Sequence, residues 1–217
     1  MIFWADATRS VKKVSIEALL SLLPAEAQLR AKRYRQPLDA HQFVLGRLLL
    51  GYALQQEGRA LRELQDLQYE AAGKPYLKGD AAFSIAHSRG VVACAWARTG
   101  PLGLDVEVPR SIDRQHFRHC FTDLEWAAIQ ADASLTTFYH YWTAKEAVLK
   151  AQGWGLGHLQ AVQIEAQQGV SLEGTISQLA WHAFALGAAR ACLCTAQPMV
   201  PPVIQAVELE ALLHLGA

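Results

Sequence analysis

The segment Gly103-Leu104-Asp105-Val106-Glu107-Val108 alternates acidic and apolar residues. In a strand, side chains at i and i+2 share a face. Asp105 and Glu107 therefore point one way, and Leu104, Val106 and Val108 the other. Two neighbouring carboxylates repel each other unless a cation or solvent lies between them. Mg²⁺ takes oxygen ligands and usually pairs one or two protein carboxylates with substrate phosphates. A solvated strand face has the same pattern, so the alternation alone leaves both readings open.

A second acidic residue stands out on a helix. At about 100° per residue, Leu135, Phe138, Tyr139, Trp142 and Leu149 share one apolar stripe, and Glu146 falls inside it. A bare carboxylate on a core-facing surface is costly to bury and needs a partner. Lys150 one turn on, an arginine from elsewhere, or a metal could supply it. Lys145 and Lys150 lie at opposite edges of the stripe, so the expected picture is an inward carboxylate flanked by two cations at the rim of a cleft. The plainer alternative is an intrahelical Glu146–Lys150 pair, which contributes little on a surface.

A third segment, Phe83-Ser84-Ile85-Ala86-His87-Ser88-Arg89-Gly90, reads as a strand running into a polar turn. Backbone N–H groups beside His, Ser and Arg can cradle phosphate, though such a stretch is also an ordinary turn. Gly73-Lys74-Pro75 is another turn. There is no Walker-type loop and no Gly-x-Gly-x-x-Gly, and His140, His158 and His182 lack metal-ligand spacing.

The elements that must position these groups follow from pattern and punctuation. Residues 15–35 read as helix in two pieces divided by Pro24, with Arg30, Lys32, Arg33 and Arg35 at the end. Asp39 is expected to cap a helix running to about Gln56, with Gly58 as its stop. Strands are expected at Leu67–Glu70, Ala82–Ala86 and Val91–Ala97, with Lys78-Gly79-Asp80 as a turn. Thr122-Asp123-Leu124-Glu125 has the pattern of a capping box. A longer helix spans about Ser134 to Gln152, up to Gly153. Strand candidates then follow at Gln160–Ala166, Gly174–Gln178, Trp181–Ala185, Ala189–Ala196 and Val203–Leu209. Helices followed by strands, twice over, predict an α+β protein of two similar subdomains, residues 1–102 and 103–217. The expected arrangement is pseudo-twofold, with the active site at the interface. Phe43 precedes Arg47 by four residues, as Trp142 precedes Glu146, which agrees with duplication.

Composition sets bounds. The 217 residues are 52% hydrophobic and 18% charged, which excludes a disordered chain. Net charge is zero but uneven. Residues 1–100 carry 14 Lys/Arg against 9 Asp/Glu, and residues 101–217 carry 6 against 11. Such a split suits a basic half that holds phosphates and an acidic half that holds a cation, although two differently decorated surfaces give the same count. Cys94, Cys120, Cys192 and Cys194 form neither a disulfide framework nor a zinc pair, and read as buried reduced thiols. Met1–Asp6 has no secretory pattern, and no apolar run approaches the roughly 18 residues of a membrane span. The expectation is a cytoplasmic monomer with no membrane or nucleic-acid partner.

Together these segments resemble the Sfp-type 4′-phosphopantetheinyl transferases. Gly103-Leu104-Asp105-Val106-Glu107 is similar to that family's G-[IV]-D-[IVL]-E block. Residues 142–150, Trp-Thr-Ala-Lys-Glu-Ala-Val-Leu-Lys, are similar to its W-[ST]-x-K-E-[AS]-x-x-K block. Gly73-Lys74-Pro75 and Phe83–Ser88 resemble two further blocks in the right order. The resemblance implies an Mg²⁺-dependent enzyme that moves the phosphopantetheine arm of coenzyme A onto a serine of an acyl or peptidyl carrier protein. It implies Asp105, Glu107 and Glu146 as metal ligands, Glu146 and Lys150 as catalytic groups, and Arg30, Arg47, Lys74, His87, Ser88 and Lys150 as coenzyme A contacts. Carrier docking falls to the second half, with Arg110, Arg114, Arg118, Phe117 and Phe121 as candidates beside a plain helix-face reading. Three positions depart from the family pattern. Ser84 replaces an Asn, Ala86 replaces a Ser whose hydroxyl would contact coenzyme A, and Ala27 replaces a basic residue. A non-catalytic binder of coenzyme A or carrier proteins is the alternative function.

Overall fold

The computed structural model describes residues 1–70, 73–79, 81–165, 169–196 and 200–215. The expected turn residue Asp80 and strand end Ala166 lie outside the described residues. The chain opens with strand β1 (Ile2–Asp6) and short helices α1 (Ala7–Lys13), α2 (Ile16–Leu20) and α3 (Ala25–Ala31). Asp6 starts α1 by accepting from Thr8 N–H at 2.8 Å. Helix α4 (Pro37–Gln56) begins two residues before the expected Asp39 cap. Pro37 sits at its first position, where the missing N–H costs nothing and the fixed φ already suits a helix. Every residue from His41 to Gly51 is buried, as befits a helix covered on all sides.

Next come β2 (Gln68–Tyr69), β3 (Pro75–Tyr76), β4 (Ala82–Ser88), β5 (Val91–Ala97) and β6 (Leu102–Glu107). After α5 (Asp123–Ala131) and α6 (Thr136–Gln152), the chain ends in β7 (Val162–Ile164), β8 (Gly169–Leu172), β9 (Thr175–Leu186), β10 (Ala189–Ala196), β11 (Ile204–Ala206) and α7 (Leu209–Leu213). The box at Thr122 forms as expected, with Thr122 Oγ1 and Glu125 serving each other's backbone N–H. Gly153 ends α6 at φ +69°, and Trp154 N–H reaches back to Leu149 C=O at 2.9 Å. The two strand runs expected at 174–178 and 181–185 are one continuous strand, β9.

The strands form two sheets, ordered β11-β1-β5-β4 and β6-β10-β9-β8-β7, plus the β2–β3 hairpin. Helix α4 packs on the first sheet and α6 on the second. Each helix–sheet pair has its own apolar core. A third core, rich in alanine, lies between the sheets and includes Ile2, Ala86, Ala93, Leu104, Val106 and Leu193. The result is a mixed α+β protein. The last strand pairs parallel to β1, and Leu209 and Leu212 join the core under α4. A division at 102/103 would assign this C-terminal segment to the other half. The four cysteines are free and buried. Among the described residues, no helix is long and apolar enough to cross a membrane.

Candidate active site

Gly103 sets the geometry. A Cβ there would lie 1.8 Å from Ala147 C=O and 2.6 Å from Ala151 N. Only glycine lets β6 run against the backbone of α6. Two residues on, Asp105 therefore lies beneath Glu146 and Lys150. One carboxylate oxygen from each of Asp105, Glu107 and Glu146 falls within 4.8 Å of the others. Lys150 Nζ donates to Asp105 Oδ1 at 2.6 Å and stands 3.7 Å from Glu146 Oε2.

Lys150 lies between two of the three carboxylates, Asp105 and Glu146. Burial, then the Asp105 charge, pushes the Glu146 carboxyl up to about 7. Burial raises Glu107 too, against the opposing hydrogen bond from Ser88. Burial alone would lower Lys150, but Asp105 and Glu146 outweigh it and its pKa is raised. Asp105 Oδ2 is buried with no hydrogen-bond partner. An orphaned buried carboxylate oxygen beside two crowded carboxyls fits a hard divalent cation such as Mg²⁺.

The strand that brings Ser88 also supports this cluster. Ser88 Oγ donates to Glu107 Oε2 at 2.8 Å and accepts from Val108 N–H at 3.2 Å. Ser84 Oγ accepts from Leu104 N–H at 2.9 Å. Ala86, between them, is buried in the core between the sheets. Its departure from the family pattern therefore bears on sheet packing. His87 keeps part of its surface in solvent, yet desolvation of its ring, then the Lys150 charge, lowers its pKa.

Glu146 and Lys150 open into a cleft of about 320 Å³, walled by Pro75, Ile85, Leu149 and Trp154. Lys74 lies at its edge, but its ammonium donates to Leu102 C=O at 3.0 Å and Lys150 C=O at 2.6 Å. It ties the hairpin to α6 and β6. A second hollow, of about 510 Å³, is lined by Arg30, Arg33, Tyr34 and Tyr69. The Arg30 and Arg47 guanidinium groups both lie over the Phe43 and Tyr69 rings, 5.2–5.9 Å from the ring centres. Arg47 Nη2 donates to the Tyr69 hydroxyl at 3.2 Å, while its Nε is buried without a partner. Tyr69 pairs with Pro75 across the β2–β3 hairpin, so this hairpin reaches both hollows. Sequence reasoning missed Tyr69, because nothing local marks it as a platform for two arginines.

Lys145 corrects an expectation. It is not at the cleft rim but fully buried. Its Nζ donates to the carbonyls of Cys120 (3.1 Å), Leu159 (3.0 Å) and Val162 and pairs with Glu125 at 2.8 Å. The expected steering residues are also engaged within the fold. Arg114 donates to the carbonyls of Ile129 and Asp132. Arg118 donates to Phe121 C=O and to Asp123. Phe121 is buried and Phe117 packs on Phe138 and Trp142, while Arg110 is exposed.

Comparison with known proteins agrees with this site. Residues 101–196, which hold Asp105, Glu107, Glu146 and Lys150, match the family described as the 4′-phosphopantetheinyl transferase superfamily. The chain is similar to 4′-phosphopantetheinyl transferase Sfp of Bacillus subtilis, 28% identical over 153 residues that cover 68% of each chain. It is similar to 4′-phosphopantetheinyl transferase HetI of Nostoc sp., 28% identical over 69% of this chain and 67% of that one. It is 32% identical to 4′-phosphopantetheinyl transferase gsp of Aneurinibacillus migulanus, over 64% of this chain and 59% of that one. The matched segment falls on the carboxylate cluster and on the strand and helix that build it, so it is in this region that the chain is similar to the 4′-phosphopantetheinyl transferase superfamily.

Proposed function

We propose that this protein transfers the 4′-phosphopantetheine arm of coenzyme A to a serine of a carrier protein, releasing adenosine 3′,5′-bisphosphate. The observation that carries this reading is the cluster of Asp105, Glu107 and Glu146 with Lys150 and an orphaned Asp105 oxygen, opening into a cleft. Bound there, Mg²⁺ would supply Lewis acidity at the pyrophosphate. The carrier serine Oγ attacks the β-phosphorus, the bond to the bridging oxygen breaks, and the bisphosphate leaves. Positioning and charge stabilisation dominate such a step. Glu146, whose carboxylate lies in the cluster and lines the cleft, is the group assigned to take the serine proton. Lys150, held between Asp105 and Glu146, balances charge on the departing phosphate.

The arginines over Phe43 and Tyr69 suit the nucleotide phosphates of coenzyme A, with Arg30 and Arg47 as contacts and His87 beside the cluster. The unpartnered Arg47 Nε supports this. The hairpin borders both hollows through Tyr69 and Pro75, so coenzyme A would lie along it. Lys74 and Ser88 already have protein partners and would contribute through them. Because one chain builds the whole cleft, a monomer is the working unit we propose.

The test is intact-mass spectrometry of an apo carrier protein after incubation with this protein, coenzyme A and Mg²⁺. Gain of one phosphopantetheine unit, lost with EDTA and with Glu146→Ala, is the expected result. No gain across fatty-acid, polyketide and peptide carriers, with coenzyme A still bound, would overturn catalysis in favour of a non-catalytic binder.

A further inference from the structure

The two sheets meet edge to edge. β4 ends the first sheet and β6 ends the second, and among the described residues no ladder joins them. An unpaired backbone N–H at such a buried seam is costly. Two serines fill the gap. Ser84 Oγ takes the Leu104 N–H at 2.9 Å, and Ser88 Oγ takes the Val108 N–H at 3.2 Å. Both bonds span twenty residues, so β4 and β6 run side by side in a fixed register. The two serines differ in one respect. Among the described residues Ser84 Oγ is hydrogen-bonded to Leu104 N–H and to no metal-binding carboxylate, whereas Ser88 also donates its proton to Glu107 Oε2 at 2.8 Å.

We infer that Ser88 is a positioning residue, whose hydroxyl holds the Glu107 carboxylate in place for a divalent cation and so couples the coenzyme A half of the protein to its metal site. This rests on the metal reading proposed above. Ser88 Oγ accepts from the Val108 backbone and donates its proton to Glu107 Oε2, so it bridges the β6 backbone and the carboxylate. That bond fixes the orientation of the Glu107 carboxylate, one oxygen of which lies in the cluster. The effect on binding comes through orientation, as is usual for groups that hydrogen-bond a ligating carboxylate. Ser84, which accepts from the Leu104 backbone as Ser88 accepts from Val108, provides the control.

The test is a Mn²⁺ titration of the full chain followed by electron paramagnetic resonance, with thermal unfolding of the same samples. Ser88→Ala is expected to weaken Mn²⁺ binding roughly tenfold or more. Ser88→Thr, which keeps the hydroxyl, is expected to restore it to within about twofold of the unsubstituted protein on the same scale. Ser84→Ala is expected to lower the unfolding midpoint while leaving Mn²⁺ affinity unchanged. Equal affinity in Ser88→Ala and the unsubstituted protein would overturn the inference, as would an equal loss in Ser84→Ala, since the seam alone would then explain the effect. If the unsubstituted protein binds no Mn²⁺, the metal reading falls and takes this inference with it.

Discussion

Helix α6 carries two lysines that each meet a buried carboxylate, five residues apart, with opposite outcomes. Lys145 and Glu125 are 0% and 3% exposed. Glu125 also accepts from Thr122 N–H at 2.9 Å and Ile164 N–H at 3.0 Å, and Lys145 donates to three carbonyls besides. Every charge there is matched, and the pair ties α6 to α5 and β7 and to the segments just before them. Lys150 and Asp105 are as close, at 2.6 Å, but Asp105 Oδ2 has no partner and two more carboxylates crowd in. A closed pair holds the helix still; an open one beside it is left short of positive charge. The first is a structural bolt, and the second has the composition of a cation site.

The largest contrast should appear on cutting each pair. Lys145→Met leaves Glu125 charged, buried and short of its cation, and is expected to cost about 3–5 kcal/mol of stability. Urea unfolding checks this, and a cost no larger than that of Lys150→Met would erase the distinction between the pairs. Glu146→Ala removes one of three crowded acids, so its fold should hold while turnover falls on the order of 10²–10³-fold. Coenzyme A affinity should change far less, and steady-state kinetics separate the two.

Added Mg²⁺ sharpens the comparison without mutation. At a hundred times its dissociation constant it should stabilise the protein by about 2.7 kcal/mol, and Asp105→Asn should abolish that gain. Calorimetry with Mg²⁺ or EDTA reads it directly. The pH response is the smallest effect. Glu146 is raised to about 7 in the folded protein. Its contribution to metal-free stability is therefore complete below its unfolded pKa and lost as pH rises through about 7. Metal affinity runs the opposite way, because the ion must displace the proton. It should fall as pH drops below about 7, and Glu146→Gln should flatten that dependence in titrations across this range.

Much of the site was legible in the sequence because its logic is local. Asp105 and Glu107 share a strand face by period two, and Glu146 shares a helix face with Trp142 by period 3.6. The α+β character and the positions of β5, β10 and α6 followed from the same periodicities. What was not legible depends on what lies across the fold. Lys145 looked like a rim cation because a helical wheel does not reveal the carbonyls of Cys120, Leu159 and Val162 waiting beside it. Glu125 read only as half of a capping box, and its second role needs β7 and α6. Gly103 belonged to a motif, but its reason is the α6 backbone pressing on it. A glycine inside a strand is the available signal for such close approach. β1 and β8 were missed, since neither short strand has a clear alternation and β1 is defined by pairing with distant β5 and β11.

The most direct measurement is a crystal of the protein grown with coenzyme A and Mn²⁺, read by anomalous scattering. The account predicts one ion coordinated by oxygens of Asp105, Glu107 and Glu146, with none at the Lys145–Glu125 pair. An ion bound elsewhere in an active protein, with these three carboxylates uncoordinated, would contradict it.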